Sequence, residues 1–508
     1  MHHCLSVDEI LRLLAYELVA SEAKATAAAL ARCCKTFEEP VLDVLWETQD
    51  QLAPLLKCLP RDVWGEGDES IVSPLTVFII PAFNRPASRK VFKRVPTKID
   101  WIHSQKYARR MRELRIVDTI TPDTLQLLHH YTTDDPWLPG LKTFECDQAT
   151  TAFISFIPLF LSPKTTWIDL DFAEGATTVM IASVVSRLST LCPDLESITF
   201  FGLPRDSIIT QAVSEMLLAC NRDILRIFEV NSPLTEEARE VVYQLPRLSE
   251  LGAVIQGPTS LPTVALPNLT LIDVAYDDDL NWLQGFRGTT LEKLDSVTFR
   301  CESDRIGDFL GTFESVARTT SAKNTLSRFS FYTSSSWNPN YSALLLFNQL
   351  TTVEIEFSCE GGCSSRVDDE IIVDLAEAMP KLEVLQLGDR PCKTPTGVTV
   401  NGLVGLAHHC PHLSDLCIHF QAAGLVEAAT SGVTLYPSDG PGVRRQGRAL
   451  TVLEVGATPF PMGTGSTVAR MLLQIFPRIL DVEYASLEWM TVAEIIKDPG
   501  LLGGSVHR

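Results

Sequence analysis

The sequence predicts an α/β chain in which three short N-terminal helices precede an irregular, curved solenoid of strand, turn and helix repeats. Three observations predict it. The 508 residues are 45% hydrophobic and 21% charged, the balance of a chain that folds around a core. The first 50 residues carry helical periodicity, and from residue 111 onward one short apolar phrase keeps recurring.

Ser6-Val7-Asp8-Glu9 has the pattern of a capping box, in which Ser6 accepts from the Glu9 amide and Glu9 reaches back. A helix is therefore expected from Val7, with Ile10, Leu11, Leu14 and Leu18 on one face. Ala23 to Cys34 reads as a second, Ala-rich helix, and Phe37 to Trp46 as a third with Val41, Val44 and Leu45 apolar. So small a unit must pack on the rest of the chain or on a partner. Residues 51–106 are expected to form a basic connector and cap. Between Arg85 and Arg115 stand eleven Lys and Arg against Asp100 and Glu113. Trp101 and Tyr107 are expected to cover the first repeat while these charges face an acidic solenoid. A nuclear import signal around Arg89-Lys90 and a patch for an anionic partner are the functional alternatives.

The recurring phrase has apolar residues at relative positions 1, 4 and 6, often after Pro, as in Pro193-x-Leu195-x-x-Ile198-x-Phe200 and Pro380-x-Leu382-x-x-Leu385-x-Leu387. Its first positions are 111, 141, 165, 195, 225, 248, 269, 294, 326, 350, 382, 413, 450 and 479. The mean spacing of about 28 residues lies in the range of leucine-rich repeats. Positions 4 and 6 make a strand with one buried face, and Thr177 to Leu191, Ile208 to Cys220, Asp369 to Met379 and Val468 to Phe476 read as amphipathic helices between strands. Gaps of 21 to 25 residues leave room only for extended or single-turn crossings. The copies starting at Thr165, which is polar, and at Ile479, which lacks the usual Leu, are the poorest. The organisation expected is 1–50 helical unit, 51–106 connector and cap, and 107–508 repeats with a C-terminal cap.

Leu5-Ser6-Val7-Asp8-Glu9-Ile10-Leu11, then Ala31-Arg32-Cys33-Cys34-Lys35-Thr36-Phe37, then Leu45-Trp46, resembles the F-box, with its opening Leu-Pro-x-Glu-Ile, central Cys-Lys-x-Trp/Phe and closing Leu-Trp. Ser6 stands where that family carries Pro. The match spans the first 50 of 508 residues, and its place ahead of leucine-rich repeats is similar to the expanded F-box families of mushroom-forming fungi. The resemblance implies a substrate-recognition subunit of a Skp-cullin-F-box type ubiquitin ligase. It implies docking on a Skp-type adaptor, and through it a cullin, by Leu5, Ile10, Leu11, Leu14, Leu45 and Trp46. The rival expectation is a repeat scaffold or regulator without ubiquitin machinery, and a third class is a leucine-rich GTPase activator.

Little points to catalysis. The chain has no G-x-S-x-G, no G-x-x-x-x-G-K-[ST] and no H-E-x-x-H, and Gly463-Thr464-Gly465-Ser466-Thr467 reads as a turn before a helix. We expect no enzyme activity, no cofactor and no metal. The groups His408, His409, Cys410, His412, Cys417 and His419, and Cys359 with Cys363, fit repeat positions and a turn better than zinc ligation. Asp277 to Asp279 and Asp368 to Glu370 read as a solvated loop and a helix start rather than cation sites. A formal charge of −20 argues against nucleic-acid binding, and the best candidate for a membrane span, Phe153 to Leu161, is interrupted by Ser155 and Pro158 and too short to cross a bilayer. Thirteen scattered cysteines and an N-terminus without signal-peptide features suggest a reducing compartment, cytoplasmic or nuclear, without structural disulfides.

Side chains at positions 3, 5 and 7 of each copy point away from the buried face, because side chains alternate along a strand. Fourteen of these 42 positions are acidic and only Arg115, Arg300 and Arg328 are basic, although acidic residues make up 63 of 508 overall. The expected target surface is therefore acidic, includes Glu145, Asp147, Asp169, Asp171, Glu229, Asp273, Glu354 and Glu356, and selects a basic segment of a protein target.

Overall fold

A computed structural model of the chain describes residues 7–66, 76–79, 89–92, 94, 96–117, 125–126, 128–129, 136–255, 266–276, 281–301, 309–334, 339–357, 367–388, 397–431, 449–455, 458–484 and 486–502. The chain folds as two compact units, one running to Arg239 and the other from Glu240. Both are mixed α/β with parallel strands, six in the first unit and nine in the second.

The first unit opens with α1 (Asp8–Ala20), α2 (Lys24–Ala31) and α3 (Lys35–Glu47). Leu11, Ala15, Ala27, Ala31, Phe37, Val41 and Val44 form their shared core, the alanines of α2 allowing close approach of the other two helices. The first helix starts one residue later than expected. Val7 is its N-cap and makes no side-chain cap, and Asp8 and Glu9 in the first turn complement the exposed amides. Ser6 lies outside the described residues.

Immediately after α3 the chain enters β1 (Thr48–Gln49), which pairs in parallel with β5 (Glu113–Ile116). Between them lie α4 (Ala53–Leu56), the strands β2 (Trp64–Glu66), β3 (Thr76–Ile79) and β4 (Arg89–Phe92), and α5 (Lys98–Ala108). These three strands form a separate antiparallel sheet in the order β2-β4-β3. Asp100 starts α5 by accepting from the Thr97 amide at 2.6 Å and its hydroxyl at 2.8 Å.

Parallel strands then follow one another: β5, β6 (Thr143–Ala149), β7 (Trp167–Phe172), β8 (Ser197–Phe201) and β9 (Ile227–Pro233). The second unit continues with β10 (Glu250–Ile255), β11 (Leu271–Tyr276), β12 (Ser296–Cys301), β13 (Arg328–Thr333), β14 (Thr352–Phe357), β15 (Val384–Leu387), β16 (Asp415–Ile418), β17 (Val452–Glu454) and β18 (Asp481–Glu483). All fourteen phrases are strands, and each strand begins two residues after position 1. Thr165 fits its apolar position because its buried hydroxyl donates to the Leu141 carbonyl at 3.2 Å.

Register is set at each strand entrance by the backbone. Within each unit, the carbonyl at position 2 of one copy accepts from the amides at positions 2 and 3 of the next. Lys142 accepts from Thr166 and Trp167, Thr166 from Glu196 and Ser197, and Thr351 from Glu383 and Val384. Positions 4 and 6 face inward except at the last copy, where Tyr484 at position 6 is exposed. They build aromatic cores around Phe144 and Phe160 in the first unit and around Phe299, Phe313 and Phe329 in the second.

The connections are helical where length permits: Thr178–Val185 with Leu188–Leu191, Ser207–Ala219, Asp369–Ala378, Val400–His409 and Gly465–Ile475. Short gaps carry single turns such as Asn281–Gln284 and the 3-10 segment Tyr341–Leu346, while the stretch 256–265 lies outside the described residues. Among the described residues no helix is long and apolar enough to cross a membrane.

Candidate functional site

On β7, Ile168, Leu170 and Phe172 are buried while Trp167, Asp169 and Asp171 face outward. Register places Arg115, Glu145, Asp169, Thr199 and Glu229 in one row across five neighbouring strands. Asp147 and Asp171 lie one row further along, giving five carboxylates on a few strands. Arg115 pairs with Asp147 at 2.9 Å and with Glu145 at 3.7 Å, and these carboxylates hold its guanidinium charged. Gln148 donates to Asp171. Burial pushes the Asp169 carboxyl up to about 6, helped by the negative charge of Glu145, Asp147 and Asp171.

Glu145, Asp147, Asp169, Asp171 and Glu229 thus share the open face of the first unit, and Asp273, Glu354 and Glu356 stand on that of the second. All fourteen acidic residues expected on this face are at least partly exposed.

The second unit treats its carboxylates differently. Glu354 accepts from Ser330 at 2.9 Å and from Tyr332 at 2.7 Å, and Arg300 pairs with Asp273 while lying 5.9 Å above the Tyr332 ring. A groove of about 620 Å³ opens here, lined by Ser296, Thr298, Arg300, Arg328, Tyr332 and Glu354 among others. Burial and the Glu354 acceptor push the Tyr332 phenol up to about 12, so it stays a donor at neutral pH.

The N-terminal candidates separate. Leu5 lies outside the described residues, Leu14 is exposed and Ile10 half-buried. Leu11 is a correction: it is fully buried in the three-helix core, because position 11 faces α2 and α3 rather than solvent. Leu45 packs against the same core, and Trp46 stacks on Tyr107 of α5 with ring centroids 4.7 Å apart. Leu13 and Tyr16, which periodicity placed off the apolar face, are exposed beside Leu14.

The basic connector also differs from expectation. Its described charges turn to the third helix rather than to the acidic sheet face: Lys106 bonds Glu38 at 2.7 Å, and Arg110 pairs with Asp43 at 3.1 Å and with Glu39. Arg94 pairs with Asp62 and Asp100, each at 2.7 Å, and draws the Asp100 carboxyl well below the usual carboxylate range. Among the described residues of the connector, Arg115 is the one that pairs with carboxylates of the acidic face. Trp101 is buried against Trp137.

Asp368 caps the helix Asp369–Ala378, accepting from the Ile371 amide at 3.0 Å, and Asp277 to Asp279 lie outside the described residues. Cys410 ends a helix with its thiol toward the Ala376 and Met379 carbonyls, while Cys417 is buried on β16 and His419 just after it. Among the described residues no three His, Cys, Asp or Glu side chains are grouped to hold a metal ion. Trp167 and Phe201 stand out on the acidic face as exposed aromatics. The alternation that placed them there was legible, but the acidic count passed over them. No model of a known protein family and no curated protein matches the chain.

Proposed function

We propose that the chain is the substrate-recognition subunit of a Skp-cullin-F-box type ubiquitin ligase, holding a protein target on a solenoid of leucine-rich repeats. The observation that carries this reading is the three-helix N-terminal unit. It leaves Leu13, Leu14 and Tyr16 exposed on α1 and passes directly into the first strand of the parallel sheet. The chain performs no chemistry. It acts by proximity, raising the effective concentration of target lysines near a charged ubiquitin-conjugating enzyme. Such work is done in the cytoplasm or nucleus, and the acidic open face selects a basic segment of the target.

A repeat scaffold without ubiquitin partners is favoured by one observation. Leu11 and Leu45 are engaged inside the unit and Trp46 with Tyr107 of α5, which leaves Ile10 and Leu14 as its described adaptor candidates. Co-expression with a Skp-type adaptor and affinity capture separates the two readings. The ligase reading expects a stoichiometric complex that Ile10→Ala with Leu14→Ala weakens by about 2–4 kcal/mol. A native chain that captures no adaptor leaves the scaffold.

A further inference from the structure

We propose that the open face of β7 and β8 binds an extended protein segment in which basic side chains flank an apolar one. The inference rests on the open face being the target surface and is independent of the adaptor.

Trp167 and Asp171 bracket Asp169 along β7, and Phe201 lies across from Asp171 on β8. The two aromatics are 40% and 48% exposed, at opposite corners of a block whose middle is carboxylate. Neighbouring strands are about 4.8 Å apart and same-face residues about 6.6 Å apart, so one bound side chain spans ring and carboxylate together. A lysine or arginine lays its apolar stem on an indole or phenyl face while its charge meets Asp169 or Asp171. The nearby cation, Arg115, is engaged by Glu145 and Asp147.

An independent observation marks the same face as incomplete. Ser197 occupies an outward register position between Trp167 and Ile227, yet it is only 1% exposed and its hydroxyl has no hydrogen-bond partner among the described residues. Buried polar groups are nearly always satisfied. A chain bound over this row supplies that acceptor once the register neighbours of Ser197, Trp167 and Ile227, turn onto it. The apolar pair Trp167 and Ile227 then meets an apolar side chain, and the carboxylate rows beside them meet its basic neighbours. A uniformly basic segment fits only half of this surface.

The test uses the full chain and short fluorescein-labelled peptides centred on Lys-Leu-Lys, Lys-Ser-Lys or Glu-Leu-Glu, followed by anisotropy. Lys-Leu-Lys is expected to bind about tenfold tighter than Glu-Leu-Glu and about threefold tighter than Lys-Ser-Lys. Asp169→Asn with Asp171→Asn removes the first preference. Trp167→Ser removes the second, and Trp167→Phe, which keeps a ring, retains it. Circular dichroism and adaptor capture of each variant verify that it is folded. Equal binding of all three peptides, or preferences unchanged in folded variants, overturns the inference. Peptide preferences without adaptor capture defeat the ligase reading alone, whereas adaptor capture without peptide preferences defeats this inference alone.

Discussion

The two units spend the same backbone pattern on different faces. In the first, six carboxylates, Glu113 included, meet Arg115 and two exposed aromatics, and among the described residues Asp169 has no ion pair. In the second, Ser330 and Tyr332 donate to Glu354, Arg300 neutralises Asp273, and hydroxyls fill the groove. Inward residues are interchangeable in kind, Phe144 in one unit serving as Phe329 does in the other. Positions 4 and 6 answer to packing, while positions 3, 5 and 7 are free to vary. Selectivity is therefore adjustable with little effect on stability.

The largest expected effect tests the shared core. Phe144→Ala and Phe329→Ala should each cost about 3–5 kcal/mol in denaturant unfolding. A cost confined to one of them would show the cores unlike. Next comes the face itself. Asp169→Lys with Asp171→Lys should abolish Lys-Leu-Lys binding, whereas Asp273→Asn in the second unit should leave it unchanged.

A smaller effect concerns hydrogen bonding in the connector. Asp100→Asn should destabilise the first unit by about 1 kcal/mol at neutral pH by weakening its bonds to Arg94 and Thr97. Because the folded Asp100 carboxyl is depressed, that stabilisation is present at neutral pH and is lost as pH falls below the ordinary carboxylate range.

The smallest effect runs the other way at Asp169. Glu145, Asp147, Asp171 and Arg115 surround it, and its carboxyl titrates at about 6, above the ordinary 3.8. The folded state then holds more protons than the unfolded one between those values, so stability falls as pH rises through that window. Asp169→Asn should raise Tm by about 1 °C at pH 7.5, the gain shrinking towards pH 5. The same protonation should weaken Lys-Leu-Lys binding of the native chain below about pH 6, and a flat pH profile would contradict it.

The strands were legible because an apolar phrase repeated fourteen times leaves little freedom, and alternation then assigns each acidic residue to a face. What escaped was set by neighbours distant in sequence. Two-residue β1 has no alternation to betray it, and only its pairing with Glu113 and Leu114 makes it a strand. Periodicity marked Leu11 as apolar but not which helices would cover it, and Trp46 gave no hint that Tyr107, sixty-one residues later, would stack on it. The basic connector followed charge to the nearer carboxylates of Glu38, Glu39 and Asp43. The weight of Trp167 and Phe201 emerged only with their exposure.

Within each unit, the carbonyl shared by two amides where one copy meets the next separates pairing from chain length. Copies 21 residues apart, at 248 and 269, and copies 37 residues apart, at 413 and 450, close with the same pair of bonds: Thr270 and Leu271 to Ser249, and Thr451 and Val452 to Ser414. Insertions and deletions between strands are absorbed without moving the next strand out of step, whereas proline at position 2 or 3 would remove one of the two donors. Connection length is thereby a free variable of the fold, and the strand entrance a fixed one.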